Sequence, residues 1–415
     1  MGDPVNTIRI WLAGLLSGWG LSPGWIALIL AVLGVVVLCT AVMILDILLV
    51  WVERKVVARF QDRLGPNRLG PFGLIQPIAD VIKLLIKENI TPQGADRLVY
   101  NIAPIIALAT VLLLWAVLPI SSTISGTNLN VGVLYIVAIG AISTLGIIMA
   151  GWSSNNKYAL LGAFRTVAQM VSYEVPMVIA LLVPVILAGS MGLNDIVNAQ
   201  SVWFIVMAPI AGLLIFITAI AELGRAPFDI NEAESEIVAG FHIEYTGMKF
   251  GLFYAGELLH ALTMGAIVST LFFGGWRGPG SQTYPILGVF YFFLKAFFFY
   301  WAIMWVKYSL PRIRIDQMLN FNWKFLTPLA LTVLIVTAIL DKILPRSNMA
   351  VYTVGMLVAN LIIIGVTALI LRSRSGIERK RVAEPGPIAT PERAMASIQS
   401  TPPAQPPASS SPTST

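Results

Sequence analysis

Residues 26–51 read IALILAVLGVVVLCTAVMILDILLVW, an apolar run that contains one charged residue, Asp46. Because a helix of about twenty apolar residues crosses the roughly 30 Å hydrocarbon core of a bilayer, this run predicts a transmembrane helix. The rest of the chain is similar, since 57% of its 415 residues are hydrophobic and 12% are charged. With a mean hydropathy of +0.81, this composition indicates a polytopic membrane protein and excludes an ordinary soluble domain.

Further apolar spans follow the first along the chain. They lie at residues 99–119, 132–152, 161–188, 202–221, 250–273, 285–306, 325–344 and 350–371. The predicted fold class is therefore all-α, with about nine transmembrane helices, an interfacial amphipathic helix and ordered polar loops. We divide the chain into an N-terminal interfacial segment at 1–25, a transmembrane domain at 26–371 and a disordered tail at 372–415 that is rich in Pro, Ser, Thr and Ala.

Lys and Arg are distributed unequally between the two sides of these spans. One side holds 21 of the 27 Lys and Arg. It comprises the tail and the loops at residues 53–97, 153–160, 222–249 and 307–324. Because Lys and Arg accumulate in cytoplasmic loops, we expect the N-terminus outside and the C-terminus in the cytoplasm. The net charge of +6 is then a signal of topology, and no nucleic-acid partner is expected.

Cysteine and histidine are too few for a redox centre. Cys39 is the single cysteine, and His242 and His260 are the two histidines. A disulfide framework, a cysteine-ligated cluster and a haem held by two histidines within the membrane are all excluded. We expect no Fe–S cluster, haem, flavin or metal site in this chain, so any electrons it handles belong to another protein's cofactor.

The loop at residues 53–97, called the basic loop below, combines a turn with an amphipathic segment. The turn GPNRLGPFG at 65–73 suits tight bends and close backbone approach, and it is surrounded by Arg and Lys. After it, apolar residues alternate with polar ones at helical spacing over 76–87, which predicts a helix lying along the membrane interface. One interpretation is a positive-inside anchor. The spaced Gly and Pro, with Gln61, Asn67 and Gln76, favour the rim of a shaped pocket.

The loop at residues 222–249, called the acidic loop, begins ELGRAPFDINEAESEIVAGFHIEYTGM. Its six carboxylates fall within 23 residues, and they are Glu222, Asp229, Glu232, Glu234, Glu236 and Glu244. A freely solvated acidic loop is one interpretation. Apolar residues run among the acids, however, and favour burial in a cavity, where neighbouring carboxylates raise one another's pKa.

Ionisable residues inside the spans give a second signal. Each costs roughly 2.5–3.5 kcal/mol at the bilayer centre, so each must face protein or water. They are Asp46, Arg165, Glu174, Glu257 and Lys295. Structural ion pairs between helices would explain them singly. Together with the acidic loop, they favour a chain of protonatable sites.

Three of these positions carry local expectations. Asp46 and Glu53, seven residues apart, are predicted to share one face of the first helix. The helix at 161–188 has a polar face, and Pro176 is expected to loosen its backbone just after Glu174. For Lys295 we expect a neutral amine or a carboxylate partner on another helix.

The polar blocks resemble the H-subunit family of bacterial respiratory complex I, the proton-translocating NADH:quinone oxidoreductase, whose mitochondrial counterpart is NADH dehydrogenase membrane subunit 1. The similarity runs from the first helix to about Pro328. Its blocks are ERK at 53–55 with Gln61, Arg63 and GPNR, then AELGRAPFD at 221–229 and EAESEIVAGFHIEY at 232–245, then LPRIRIDQ at 310–317 with Trp323 and Lys324. The chain departs from the family pattern at Asn231, Lys307 and Asn322.

The resemblance implies a subunit without a redox centre that forms the membrane wall and access tunnel of a quinone chamber. The implied substrate is a quinone, either ubiquinone or menaquinone. At the matching positions, the resemblance implies that the quinone is bound by Glu53, Arg54, Gln61, Arg63, Asp80, Arg225 and Asp229. It implies proton-linked roles for Glu174, Glu222, Glu232, Glu234, Glu244 and Glu257.

The resemblance also implies partners and a location. The partners are the peripheral-arm subunits that bear the terminal Fe–S cluster, the small membrane subunits, the antiporter-like subunits and membrane lipid. The implied location is the bacterial plasma membrane. Two alternatives stay open: the homologous component of a hydrogenase-type complex that uses another donor, and a proton-coupled secondary transporter, for which inverted repeats are expected and none is evident in the sequence.

Overall fold

The computed structural model describes residues 4–230, 238–346 and 348–383, and side chains from residue 7 to residue 373 within those ranges. All regular secondary structure in them is helical. The helices are α1 Pro4–Gly18, α2 Pro23–Phe60, α3 Gln76–Ile86, α4 Arg97–Trp115, α5 Gly132–Ser153, α6 Lys157–Ala188, α7 Leu193–Ala199, α8 Phe204–Met207, α9 Pro209–Glu222, α10 Gly247–Phe272, α11 Pro285–Ser309, α12 Ile315–Phe321, α13 Thr327–Ile343 and α14 Met349–Ala383. A π-helix, Asn322–Leu326, joins α12 to α13.

Within the described residues, eight helical stretches are long and apolar enough to cross a membrane. They are α2, α4, α5, α6, α10, α11, the stretch Ile315–Ile343 and α14. The prediction of an all-α polytopic membrane protein is confirmed. The predicted span at 202–221 is shorter than expected, because Pro209 breaks the helix and leaves the 14-residue α9. Asn360 Nδ2 donates to the Met207 carbonyl oxygen at 3.0 Å beside this break.

Helix α2 changes character along its length. Its first half exposes apolar side chains, including Val32, Val35 and Val36, as expected for a surface that faces lipid. Its second half buries one face, formed by Val42, Asp46, Leu49 and Glu53. Asp46 and Glu53 therefore share a buried face, as their spacing predicts.

Helix α10 forms the centre of the bundle. Every residue from Leu258 to Phe272 is buried. Helix α11 approaches it so closely that a Cβ atom at Gly265 would lie 2.8 Å from the Ala296 carbonyl oxygen. On the other side, Trp115 Nε1 of α4 donates to Thr263 Oγ1 at 2.8 Å. This central helix carries Glu257 and His260, and its packing fixes where they stand.

Lys295 on α11 interacts with backbone carbonyls at the end of α10. Its Nζ donates to the carbonyl oxygens of Phe273, Gly275 and Arg277 at 2.8, 2.9 and 2.9 Å. These three carbonyls belong to the turn that follows α10, and three acceptors satisfy the donors of the amine. Of the two alternatives expected for Lys295, a carboxylate partner is not found among the described residues.

Helix α3 has the predicted amphipathic form. Ile78, Ile82, Leu85 and Ile86 are exposed, as an interfacial helix requires. Its other side packs on the start of α10, where a Cβ atom at Gly251 would meet Leu84 Cδ1 at 3.0 Å. The basic loop is thus attached to the central helix.

Candidate functional site

An open cavity of about 940 Å³ lies where the end of α2, the basic loop and the end of α11 meet. We call it the outer cavity. Its polar lining residues include Glu53, Arg54, Arg63, Arg68, Gln76 and Lys307. Four of these six are cations, so the outer cavity suits a ligand with electron-rich oxygen atoms.

The glycine and proline turn of the basic loop folds against itself beside this cavity. Gly73 has φ +78°, and a Cβ atom there would lie 2.2 Å from the Pro66 carbonyl oxygen, so a larger residue would not fit. Phe72 also has positive φ, at 54°, and Trp51 Nε1 of α2 donates to its carbonyl oxygen at 3.1 Å. The predicted close backbone approach is present, and it holds Arg63 and Arg68 at the cavity.

Glu53 joins α2 to α11 at the back of the outer cavity. It is 5% exposed, and its Oε1 accepts hydrogen bonds from Lys307 Nζ at 3.0 Å and from Tyr308 OH at 2.7 Å. The charge of the buried carboxylate is thus compensated by the ammonium group of Lys307, which is partly exposed at the open cavity.

Gln61 and Asp80 lie next to arginines that line the outer cavity. Asp80 forms ion pairs with Arg54 and with Lys83, the latter at 3.1 Å. Gln61 Oε1 accepts from Arg63 Nε at 2.7 Å. Neither lines the outer cavity, so the structure gives them contact with the arginines that do.

A second cavity of about 100 Å³ lies deeper between the helices. We call it the inner cavity. Its ionisable lining residues include Glu222, Arg225, Asp229, His242, Glu257 and His260. Tyr254 and Lys307 line both cavities. Those two side chains therefore form a partition between the outer and the inner cavity.

Arg225 is the central charge of the inner cavity. It is 1% exposed, and its Nε lies 3.6 Å from Glu257 Oε1. Within the described residues, none of its three guanidinium nitrogens makes a hydrogen bond. Burial lowers the pKa of Arg225, but the carboxylates of Glu53 and Glu257 outweigh burial and hold its pKa above the ordinary value. A buried cation with unmet donors requires oxygen acceptors as partners.

Both histidines of the chain line the inner cavity. His242 lies on the short turn Gly240–His242, which presses against α6, since a Cβ atom at Gly162 would meet Gly240 Cα at 2.8 Å. Burial lowers the pKa of His242, which keeps its imidazole neutral near pH 7. The sequence pattern did not indicate this role, because nothing local marks which residues face a cavity.

The inner cavity reaches far into the bundle. Glu257 and His260 lie ten and thirteen residues after Gly247, the first residue of α10. At 1.5 Å per residue these positions are roughly 15 and 20 Å along the helix. Ionisable groups therefore extend to about the middle of the membrane-spanning length.

The remaining acids that the sequence singled out are distributed unevenly. Glu222 is 3% exposed and interacts electrostatically with Glu174 on α6, and Glu174 lines neither cavity. Glu244 also lies outside both cavities, where its Oε1 accepts from Asn156 Nδ2 at 2.7 Å. Glu232 and Glu234 lie outside the described residues.

A profile of the family described as NADH dehydrogenase matches residues 32–338. The H-subunit of the NADH-quinone oxidoreductase of Dehalococcoides mccartyi strain CBDB1 is 49% identical over 331 residues, which cover 80% of this chain and 92% of that protein. The H-subunit of Brevibacillus brevis strain 47 is 44% identical over 319 residues, 77% of this chain and 95% of the relative. The second H-subunit of Geobacter sulfurreducens strain PCA is 46% identical over 299 residues, 70% and 89% of the two chains. With this similarity over most of its length, the chain belongs to the H-subunit family of NADH-quinone oxidoreductases.

Proposed function

We propose that this chain forms the membrane wall and access tunnel of the quinone site of a proton-pumping NADH:quinone oxidoreductase. It would link quinone reduction to proton movement through buried carboxylates. The observation that carries the proposal is the partition of Tyr254 and Lys307, which separates a cationic outer cavity from an acidic inner one.

The outer cavity has the chemistry that a quinone headgroup needs. A quinone gains negative charge on reduction and then takes up protons, so nearby cations and proton donors stabilise the product. Arg54, Arg63 and Lys307 provide the positive charge, and Val57 and Leu64 provide apolar lining. We assign the headgroup, ubiquinone or menaquinone, to this cavity, with electrons delivered by a peripheral-arm subunit that bears the terminal Fe–S cluster.

The inner cavity then responds to the charge that appears in the outer one. Two unit charges about 4 Å apart interact by about 4 kcal/mol at an effective dielectric constant near 20, which corresponds to about three units of pKa. Lys307 contacts Glu53 directly, and Glu53 and Glu257 both interact with Arg225. A new charge at the partition would therefore redistribute protons among the buried acids.

The proton-linked acids in this proposal are Glu222 and Glu257 at the inner cavity and Glu174 beside Glu222. Glu232, Glu234 and Glu244 complete the set by their place in the acidic loop. From them protons would pass to the small and antiporter-like membrane subunits. We place the chain in the bacterial plasma membrane, with its N-terminus outside and its C-terminus cytoplasmic, on the Lys and Arg bias.

The names carried by the relatives favour a quinone-linked complex over the two alternatives. All three relatives above are named as the H-subunit of an NADH-quinone oxidoreductase. No feature of the two cavities favours a hydrogenase-type complex or a secondary transporter.

The test is Glu222→Gln in the assembled complex, reconstituted into liposomes. We expect normal assembly and quinone reduction near the wild-type rate, but a drop of roughly five-fold or more in protons moved per quinone reduced, because the buried acid no longer titrates. Glu88→Gln is the matched control, since Glu88 is exposed and lines neither cavity. Full proton movement by the Glu222→Gln complex would contradict the proposal.

A further inference from the structure

Helix α6 contains a carbonyl group that proline leaves without its helical donor. Pro176 has no backbone N–H, so the carbonyl of Ser172, four residues earlier, loses the hydrogen bond that an ordinary helix provides. The Ser172 carbonyl oxygen instead accepts from Asn322 Nδ2 at 2.5 Å. Asn322 is fully buried, with 0% exposure. A side chain distant in sequence thus completes the backbone of α6 at its proline.

Asn322 stands at a second irregular position. It is the first residue of the π-helix Asn322–Leu326, and such helices are uncommon and often occur at functional sites. One turn earlier, the Met318 carbonyl oxygen on α12 accepts from Tyr173 OH of α6 at 3.1 Å. Two adjacent residues of α6, Ser172 and Tyr173, are therefore bound to the π-helix and to the α12 helix that precedes it.

The same part of α6 also holds the segment that carries Glu222. Gln169 Nε2 donates to the carbonyl oxygens of Ala221 and Phe228 at 2.7 and 2.8 Å. These two acceptors lie on either side of Glu222 and Arg225 along the chain. Residues 169–173 of α6 are thus fixed to two polar segments at once, and Glu174 follows immediately.

We propose that Asn322 is a positioning residue that fixes the backbone of α6 at Pro176 and so sets the distance between the Glu174 and Glu222 carboxylates. The inference rests on the proposed function, in which these two acids are linked to proton movement. If the Asn322 amide is removed, the Ser172 carbonyl remains buried without a donor, and the helix must bend or rotate to find one. Such a movement displaces Glu174, two residues further on.

The electrostatic surroundings of Glu174 determine what that displacement changes. Glu222 on α9 interacts electrostatically with Glu174. Titratable or charged residues on the other elements packed against α6 are Tyr135 on α5, Asp195 on α7, His242 on its turn, Lys324 in the π-helix and Asp341 and Lys342 on α13. Because the two glutamates repel when both are ionised, a change in their separation changes the pH at which the pair releases a proton.

The test compares Asn322→Leu with Asn360→Leu in the assembled complex in liposomes. Asn360 is a matched control, because it is 2% exposed and its Nδ2 donates to the Met207 carbonyl beside another proline, Pro209. We expect both variants to lower thermal stability. Only Asn322→Leu should reduce protons moved per quinone, by roughly five-fold, and shift the pH profile of proton movement by about half a unit or more.

A double-mutant cycle with Glu174→Gln separates positioning from general destabilisation. If Asn322 acts through Glu174, then Asn322→Leu should cause no further loss of proton movement and no pH shift in the Glu174→Gln background. Additive losses, or equal effects of Asn322→Leu and Asn360→Leu, would overturn the inference. If Asn322→Leu does not assemble, Asn322→Ser, whose hydroxyl is too short to reach Ser172, is measured against Asn360→Ser with the same expectations.

The two proposals fail in different ways. If Glu174→Gln and Glu222→Gln both move protons normally, the proposed function fails. If those variants are impaired while Asn322→Leu keeps the wild-type pH profile and proton yield, the positioning role of Asn322 alone is wrong.

Discussion

The outer and the inner cavity differ in size, charge and access. The outer cavity is open and about 940 Å³ in volume, and its charged lining residues are mainly cations. The inner cavity is about 100 Å³ and combines three carboxylates, two histidines and one buried arginine. Tyr254 and Lys307 belong to both. The difference teaches that this fold separates an open cavity with several cations from a small cavity rich in titratable groups, with two side chains between them.

The largest effect is expected from Arg225→Gln, which removes the cation of the inner cavity. Glu53 then loses a positive neighbour while remaining buried, and Glu257, whose side chain is 35% exposed, loses its ion pair. Removing one partner of a buried pair costs about 3–5 kcal/mol. We expect quinone reduction by the assembled complex to fall by roughly a hundred-fold or more. Activity in membranes, normalised to assembled complex on a native gel, measures it, and near-normal activity would remove Arg225 from the coupling between the cavities.

A smaller effect is expected at Glu53 and Tyr308, which lie beside Lys307 of the partition. Tyr308→Phe deletes one of the two hydrogen bonds to Glu53 Oε1, and Glu53→Gln removes the charge that Lys307 pairs with. We expect KM for a soluble quinone to rise roughly ten-fold in Glu53→Gln and roughly three-fold in Tyr308→Phe, in proportion to the interactions lost. An unchanged KM with reduced kcat in both variants would indicate that Glu53 acts in proton movement at the inner cavity and not in quinone binding.

Gln61 and Asp80, which contact arginines of the outer cavity without lining it, should affect quinone binding less than the lining residues do. Gln61→Ala removes a hydrogen bond to Arg63, and Asp80→Asn removes an ion pair with Arg54, yet both arginines stay at the cavity. Partly exposed pairs of this kind contribute about 0–1 kcal/mol, so we expect KM for quinone to change less than about five-fold. Steady-state kinetics in membranes decides this, and a larger change in KM than that of Glu53→Gln would reverse the assigned order.

The smallest effect is a pH dependence of stability from His242. Burial lowers its pKa in the folded protein, so the unfolded chain binds more protons as the pH falls through the ordinary value near 6.5. The stabilisation is therefore full above about pH 6.5 and is lost as the pH falls through the folded-state value, by at most about 1.4 kcal/mol per pH unit. The thermal midpoint of the wild type should fall more between pH 8 and pH 5.5 than that of His242→Gln. Equal shifts in the two proteins would contradict it.

The predictable parts of the fold are those that depend on local pattern. Apolar length predicts the long helices, and the seven-residue spacing of Asp46 and Glu53 predicts their shared face. An average hydropathy does not detect a break in the backbone, however, so the apolar span at 202–221 did not reveal the interruption before Pro209. The partners of Lys295 could not be predicted from the sequence either, because they are backbone carbonyl groups whose position depends on where α10 ends.

The residues of the candidate site were also only partly predictable from the sequence. Arg54, Arg63, Arg225 and Asp229 are in polar blocks and do line the cavities. Tyr254, Tyr308 and the two histidines were missed, because nothing in their local sequence marks which side chains face a cavity, and their neighbours there come from other parts of the chain. Glu244 shows the converse, since a carboxylate in the acidic loop pairs with Asn156 away from the cavities.

Because every residue of α10 from Leu258 to Phe272 is buried, the surrounding helices hold this half of the helix in place. A close-packed segment cannot rotate or slide unless every surrounding helix yields with it. The near half, from Gly247 to Glu257, is less completely buried and has exposed positions such as Tyr254. Glu257 stands at the boundary with its side chain 35% exposed, so water or a small ion reaches that acid more easily than it reaches His260, which is 8% exposed.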